Sequence, residues 1–203
     1  MILKQKFFNR PTLKVAEDLL GKFLVRKIGN RERALMITEV EAYDGPHDKA
    51  SHAHKGRTKR AEVMFGEAGR WYVYLVYGMH YMLNIVTGPK NYPAAILIRG
   101  AIRCSQGRSL TWSRSVLDQV KGPGKLTKFL KIDKKFNGKI AESPSPRACG
   151  ASVSRRKTGL WLEDRGIKIN KENIKRTPRI GVNYAGKIWA NKPYRFFLTI
   201  FDK

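Results

Sequence analysis

The residues of this 203-residue chain that could do chemistry gather between positions 39 and 99. They read Glu39-Val-Glu41-Ala-Tyr43, Ala50-Ser-His52-Ala-His54, Tyr72-Val-Tyr74, Tyr77-Gly-Met79-His80-Tyr81, Asn84 and Leu97-Ile-Arg99. Together they supply a carboxylate, several aromatic faces, an amide and a guanidinium. That set suits holding a flat ring and moving a proton beside it. Burial raises a carboxylate's pKa and a nearby arginine lowers it, so Glu41 beside Arg99 can stay a charged base near neutrality. On residue type alone Glu41 reads as a strand-edge carboxylate paired with a basic neighbour. Tyr43 and Arg99 turn the reading toward a pocket.

The aromatic set is Tyr43, His52, Tyr72, Tyr74 and Tyr77. A base taken out of a duplex is commonly gripped between aromatic faces, and a wedge must fill the gap it leaves. Tyr72 and Tyr74 alternate along a strand, a pattern that core residues share. Tyr77 stands where a hairpin tip is expected, which core packing does not account for. His47, His52 and His54 are not spaced as a standard zinc site and both cysteines are remote, so no metal and no cofactor are expected. Gly124-Lys125 does not complete a phosphate-binding P-loop, since Leu126 replaces Ser or Thr. Gly122–Lys125 reads either as backbone N–H groups offered to a DNA phosphate or as a plain loop-to-helix joint.

These residues need elements to position them. Pro11-Thr12 starts a helix whose Leu13, Ala16, Leu19 and Leu20 share a face, with Gly21 as its stop. Strands are predicted over 22–28 and 33–43, with Gly29-Asn30 as the turn between them. Strand parity places Leu35, Ile37, Glu39, Glu41 and Tyr43 on one face. Residues 70–77 and 81–86 flank Gly78-Met79-His80 as a hairpin. Another strand spans 94–99, a mostly polar helical segment 101–120, and a short helix opens at Gly122. Residues 142–157, rich in Ser, Pro and Arg, read as a mobile loop. Later strands are predicted at 159–162, 179–182 and 194–200. Strands and helices mix without βαβ alternation, which argues an α+β fold in a single domain, residues 1–203.

Charge points the same way as the rings. The chain carries 41 basic and 16 acidic residues, a net charge of +25. Residues 1–100 contribute +8 and residues 101–203 contribute +17. Clustered Lys and Arg displace counterions from phosphates, so a nucleic-acid partner is the direct reading. An acidic protein partner or a solvated basic surface would share the charge but not the rings. Two cysteines, Cys104 and Cys149, are no disulfide scaffold, so an intracellular protein is expected. No apolar run approaches the ~20 residues of a membrane span, and the N-terminus lacks a signal-peptide core.

The order and spacing of these stretches resemble the alkyladenine (3-methyladenine) DNA glycosylase family of the mammalian type, also called methylpurine DNA glycosylases. The likeness begins at Phe7-Phe8-Asn-Arg-Pro11 and Leu19-Leu-Gly-Lys-Phe-Leu-Val25. It peaks at Glu39-Val-Glu-Ala-Tyr43, Tyr72-Val-Tyr74, Tyr77-Gly-Met79 and Asn84-Ile85. It continues through Leu97-Ile-Arg99, Gly122-Pro-Gly-Lys-Leu126, Arg179-Ile-Gly-Val182 and Lys192-Pro-Tyr-Arg-Phe196. The resemblance implies a curved, mostly antiparallel sheet with a protruding hairpin and surrounding helices. It implies a monomeric, monofunctional hydrolase that flips damaged purines from double-stranded DNA to start base excision repair. By position, Glu41 would activate water, and Arg99 would hold that water and a phosphate, with the carbonyl of Val182 completing the water site. Tyr43 would stack on one face of the base, with His52 and Tyr74 on the other. The backbone of Ala50 and His52 would meet the purine edge, and Asn84 would crowd a guanine amino group. Tyr77 would fill the vacated space, with Met79 and His80 in the minor groove. His80 replaces the family's tyrosine, and the 88–93 loop is longer than the family's. The readings to be separated from this one are a non-catalytic nucleic-acid-binding module, a glycosylase with lysine-based lyase activity, and an RNA-binding protein.

Overall fold

The computed structural model describes residues 1–103, 119–141 and 159–201. Two helices open the chain, α1 (Gln5–Phe8) and α2 (Thr12–Leu19), and α2 starts behind Pro11 and buries Val15, Ala16 and Leu19. Gly21 turns the chain with φ 82°, and a Cβ there would sit 2.6 Å from Ile169 Cγ1, so the tight joint requires glycine. Strands β1 (Phe23–Ile28) and β2 (Arg31–Asp44) follow. Next come β3 (Trp71–Val76) and β4 (His80–Val86), the expected hairpin, then β5 (Ala94–Arg103) and β6 (Gln119–Lys121). The helix at Gly122 is α3 (Pro123–Phe129), with proline at its first position. Strands β7 (Leu160–Glu163) and β8 (Ile174–Thr177), helix α4 (Gly186–Ala190) and strand β9 (Arg195–Leu198) complete the described elements.

The main path of the sheet runs β3-β4-β5-β2-β1-β7, with β6 beside β5 and β8 beside β9. The named pairs are antiparallel. Phe8, Leu19, Phe23, Leu35, Trp71 and Phe196 lie fully buried in one main core. The expected α+β class holds: an open, antiparallel sheet with few helices.

The long strand β2 positions the site. Its first half pairs with β1, but at Glu39–Glu41 that neighbour is replaced by β9. On its other side β5 runs alongside, with register shifts between Ile37 and Val40. Thr38 of β2 and Arg99 of β5 have no partner in this register. Such bulges re-aim side chains. Beyond the shift Val40 and Ala42 join the main core, while Glu41 and Tyr43 line a cleft. The parity that grouped Glu41 with Leu35 and Ile37 is therefore corrected, because the bulge breaks the alternation.

Two other expectations change. Residues 179–182 form a turn, and the neighbouring strand is β8, a short polar strip, Ile-Lys-Arg-Thr, that among the described residues pairs only with β9. Hydrophobic alternation does not mark such an edge strand. Of the predicted helix over 101–120, residues 101–103 complete β5 and 119–120 belong to β6. The rest of that segment, the predicted loop over 142–157 and both cysteines lie outside the described residues. Among the described residues no helix is long and apolar enough to cross a membrane.

Candidate active site

Glu41 is fully buried, yet its carboxylate forms part of the cleft wall. Oε1 accepts the backbone N–H of Ile180 at 2.8 Å, and Oε2 accepts the hydroxyl of Tyr43 at 3.0 Å. Arg99 Nε stands 3.5 Å from Oε1. Burial pushes the carboxyl above its ordinary pKa, while Arg99, the Ile180 amide and the Tyr43 hydroxyl pull it back. The balance leaves a carboxyl with a raised proton affinity. Burial likewise pushes the Tyr43 phenol well up, so it stays a donor.

The open cleft, about 1000 Å³, shares Tyr43, His52, Tyr74 and Tyr184 with an adjoining recess of about 40 Å³. Tyr43, Ala50, His52, Tyr74, Asn84 and Tyr184 line that recess. His52 and Tyr74 meet edge to face, their ring centroids 4.6 Å apart. Nδ1 of His52 lies 2.8 Å from the Tyr72 hydroxyl. Burial, helped by the charge of Arg60, lowers His52 to about 4, so the ring is neutral at neutral pH. Asn84 donates from Nδ2 to the carbonyls of Tyr72 at 3.1 Å and Met82 at 3.4 Å and lines the recess. The structure thus gathers Tyr43, Ala50, His52, Tyr74 and Asn84 at one recess, with Glu41, Arg99 and Val182 on the adjoining wall.

A buried ion pair fixes this wall. Arg179 donates from two nitrogens to Asp48, at 2.5 and 2.8 Å, and neither side chain reaches solvent. Asp48 also accepts the amides of Asp44 and Ala50, each at 3.1 Å. Arg179 further donates to the carbonyl of Ala42 at 2.9 Å and lies 4.8 Å from the Tyr43 ring centroid. One pair therefore pins the 44–50 loop, the Tyr43 ring and the turn that presents the Ile180 amide to Glu41. Sequence reasoning gave no role to Asp48, Tyr184, Arg179 or Ile180, although the last two lie in a stretch that carries the family likeness. One signal was available: Asp48 is the only acid between Asp44 and Glu62 in an otherwise basic stretch.

The remaining expected residues fall differently. The Ala50 amide is engaged by Asp48, and its carbonyl accepts the Tyr184 hydroxyl at 2.9 Å. Val182 is buried, and its carbonyl accepts the Ala185 amide at 3.0 Å. Tyr77 stands at the rim of the cleft, 87% exposed, with φ 52°. Met79 is also exposed in the same three-residue turn but lies outside the cleft wall. His80 is not in the turn: it begins β4, and its ring lies so close to Gly124 that a Cβ there would be 3.0 Å from His80 Cγ.

The sequence model of the methylpurine-DNA glycosylase (MPG) family matches residues 6–200. A protein of Methanocella arvoryzae is 43% identical over 201 residues, covering 97% of this chain and 92% of its own length. One from Legionella pneumophila (strain Corby) is 40% identical over 204 residues, covering 97% and 93%. One from Psychrobacter cryohalolentis is 38% identical over 214 residues, covering 95% and 93%. All three are provisionally named 3-methyladenine DNA glycosylases. With a match along nearly its whole length, the chain belongs to the methylpurine-DNA glycosylase family and is a DNA glycosylase, a hydrolase of DNA repair.

Proposed function

We propose that the protein flips alkylated purines, 3-methyladenine and 7-methylguanine, from duplex DNA and hydrolyses their N-glycosidic bonds, with hypoxanthine as a slower substrate. The supporting observation is Glu41, buried and hydrogen-bonded beside an aromatic recess. Water adds to C1′ and gives its proton to Glu41, while the bond electrons leave with the purine. Alkylation at N3 or N7 makes the purine a cation, so it departs neutral without an acid. A cationic ring also stacks well on aromatic faces, here Tyr43 on one side and His52 with Tyr74 on the other. Hypoxanthine is neutral and needs a proton, which a neutral His52 does not supply at neutral pH.

The other roles follow from position. Arg99 and the Val182 carbonyl hold the water. The Ala50 carbonyl and the His52 backbone read the purine edge. The oxygen of Asn84 crowds the amino group of guanine. Tyr77 fills the gap in the duplex, Met79 enters the minor groove, and His80 braces the hairpin beside it. A net charge of +25 grips the phosphates, so binding should weaken steeply with salt.

The test is base release from duplexes carrying 3-methyladenine, 7-methylguanine or hypoxanthine. Free base and an intact, alkali-labile strand are expected, with no protein–DNA adduct after borohydride. A trapped adduct would signal a lysine Schiff base, and binding without release would leave only a binding module. A second measurement concerns Tyr43. Tyr43→Phe removes a hydrogen bond to the charged form of Glu41, so the carboxyl's pKa rises further. The acid limb of the pH–rate profile for 7-methylguanine should move to higher pH by about half a unit to one unit. An unmoved limb would detach Tyr43 from the base.

A further inference from the structure

We infer that Glu39 is a positioning residue: it holds Arg99 by Nε, keeps the guanidinium off Glu41, and leaves the terminal nitrogens to the cleft. The inference rests on the reading of Glu41 as the base. Arg99 Nε donates to Glu39 Oε1 at 3.0 Å, shorter than its 3.5 Å approach to Glu41 Oε1. Arg195, from β9, donates to the same Glu39 oxygen at 2.6 Å, and its NH1 reaches Thr177 Oγ1 at 3.4 Å. Glu39 is therefore tied on two sides, to β5 and to β9. All three side chains are largely buried.

The local backbone is shaped for this arrangement. Glu39 and Arg99 sit at the register shift between β2 and β5. Gly100 makes the room: a Cβ there would come within 3.0 Å of Glu39 Cβ and 3.1 Å of Oε2. A larger residue would displace the carboxylate from Arg99.

The consequence for Glu41 is electrostatic. Charge attraction falls with distance, and two carboxylates compete here for one guanidinium. Without the charge of Glu39, Arg99 closes onto Glu41. The closed pair occupies a lone pair that must accept the water's proton and makes Glu41 a weaker base. Glu39 also repels the charge on Glu41 directly. The other groups facing Glu41 are Tyr43 on β2, Tyr74 on β3, and Arg179 and Tyr184 from the 179–184 turn, and Glu39→Gln leaves them unchanged.

The experiment is single-turnover release of 7-methylguanine across pH by wild type, Glu39→Gln, Arg99→Gln and the double variant. The cationic base needs no acid, so the acid limb reports Glu41. Glu39→Gln should lower the plateau about tenfold and move the limb to lower pH by about one unit. In the Arg99→Gln background the same change should add less than about twofold, because Glu39 acts through Arg99. Glu39→Asp keeps the charge but shortens the reach; it should lower the plateau and leave the limb near wild type. Three results overturn the inference: an unmoved limb in Glu39→Gln, full additivity with Arg99→Gln, or a limb moved equally by Glu39→Asp. Glu39→Asp is also the variant to use if Glu39→Gln does not fold. Full activity of Glu41→Gln would instead defeat the base assignment, whatever Glu39 does.

Discussion

Replacing Glu41 by Gln is expected to slow single-turnover release of 7-methylguanine by about 10³-fold or more, with lesion-duplex binding within about threefold of wild type. The substitution keeps size and shape but removes the proton acceptor. The Gln oxygen can still accept from either Ile180 or Tyr43, so the wall need not collapse. The amide nitrogen must then face the other donor, which adds a local mismatch. Positioned general bases contribute about 10² to 10⁴ in rate, and the base proposed here stands beside an arginine that cannot take a proton in its place. Residual release reflects spontaneous departure of an already cationic base. Wild-type turnover by Glu41→Gln would remove the catalytic role.

The second large effect concerns stability. Asp48→Asn leaves the Arg179 guanidinium buried without its counter-charge, on top of an Arg179 Nε that already lacks a partner. Breaking a buried pair in this way costs about 3–5 kcal/mol. For a chain of this size each kcal/mol shifts the melting temperature by about 2–4 °C, so a fall of about 10 °C is expected in a thermal melt. Activity should fall as well, because the Ile180 amide and the Tyr43 ring lose their anchor. The double replacement Asp48→Ala with Arg179→Met should recover part of the stability, since apolar side chains can replace a buried pair at little cost, but not the activity. A melting temperature within about 2 °C of wild type for Asp48→Asn would show that the pair is not the anchor.

How much of this was legible in the sequence follows from the range of each interaction. Glu41 and Tyr43 are two residues apart on one strand, so strand geometry alone puts both at one wall. The hairpin announced itself through Gly78 and two flanking apolar runs, and the structure extends it only by placing His80 in the strand. Arg99 was legible as a strand residue, but its aim depends on a bulge, and no residue pattern marks where Thr38 and Arg99 fall out of register. Asp48 and Arg179 are 131 residues apart. Asp48 stands out only as a lone acid in a basic stretch, and its pairing with Arg179 is decided by tertiary packing. The 179–182 segment was misread as a strand because Ile-Gly-Val after an arginine has β propensity. The buried guanidinium holds that backbone as a turn, and tertiary contacts override propensity.

The final strand has a temporal meaning. Glu39, Glu41 and Arg99 are translated before the Ile180 amide and before Arg195 on β9, which complete their surroundings. A polypeptide still being made on the ribosome therefore holds the acid and its cation without the braces that define their spacing. If Glu41 acts as proposed, a chain halted before residue 198 should still carry much of the positive charge that draws it to DNA, yet hold the acid and its cation without the strand that spaces them.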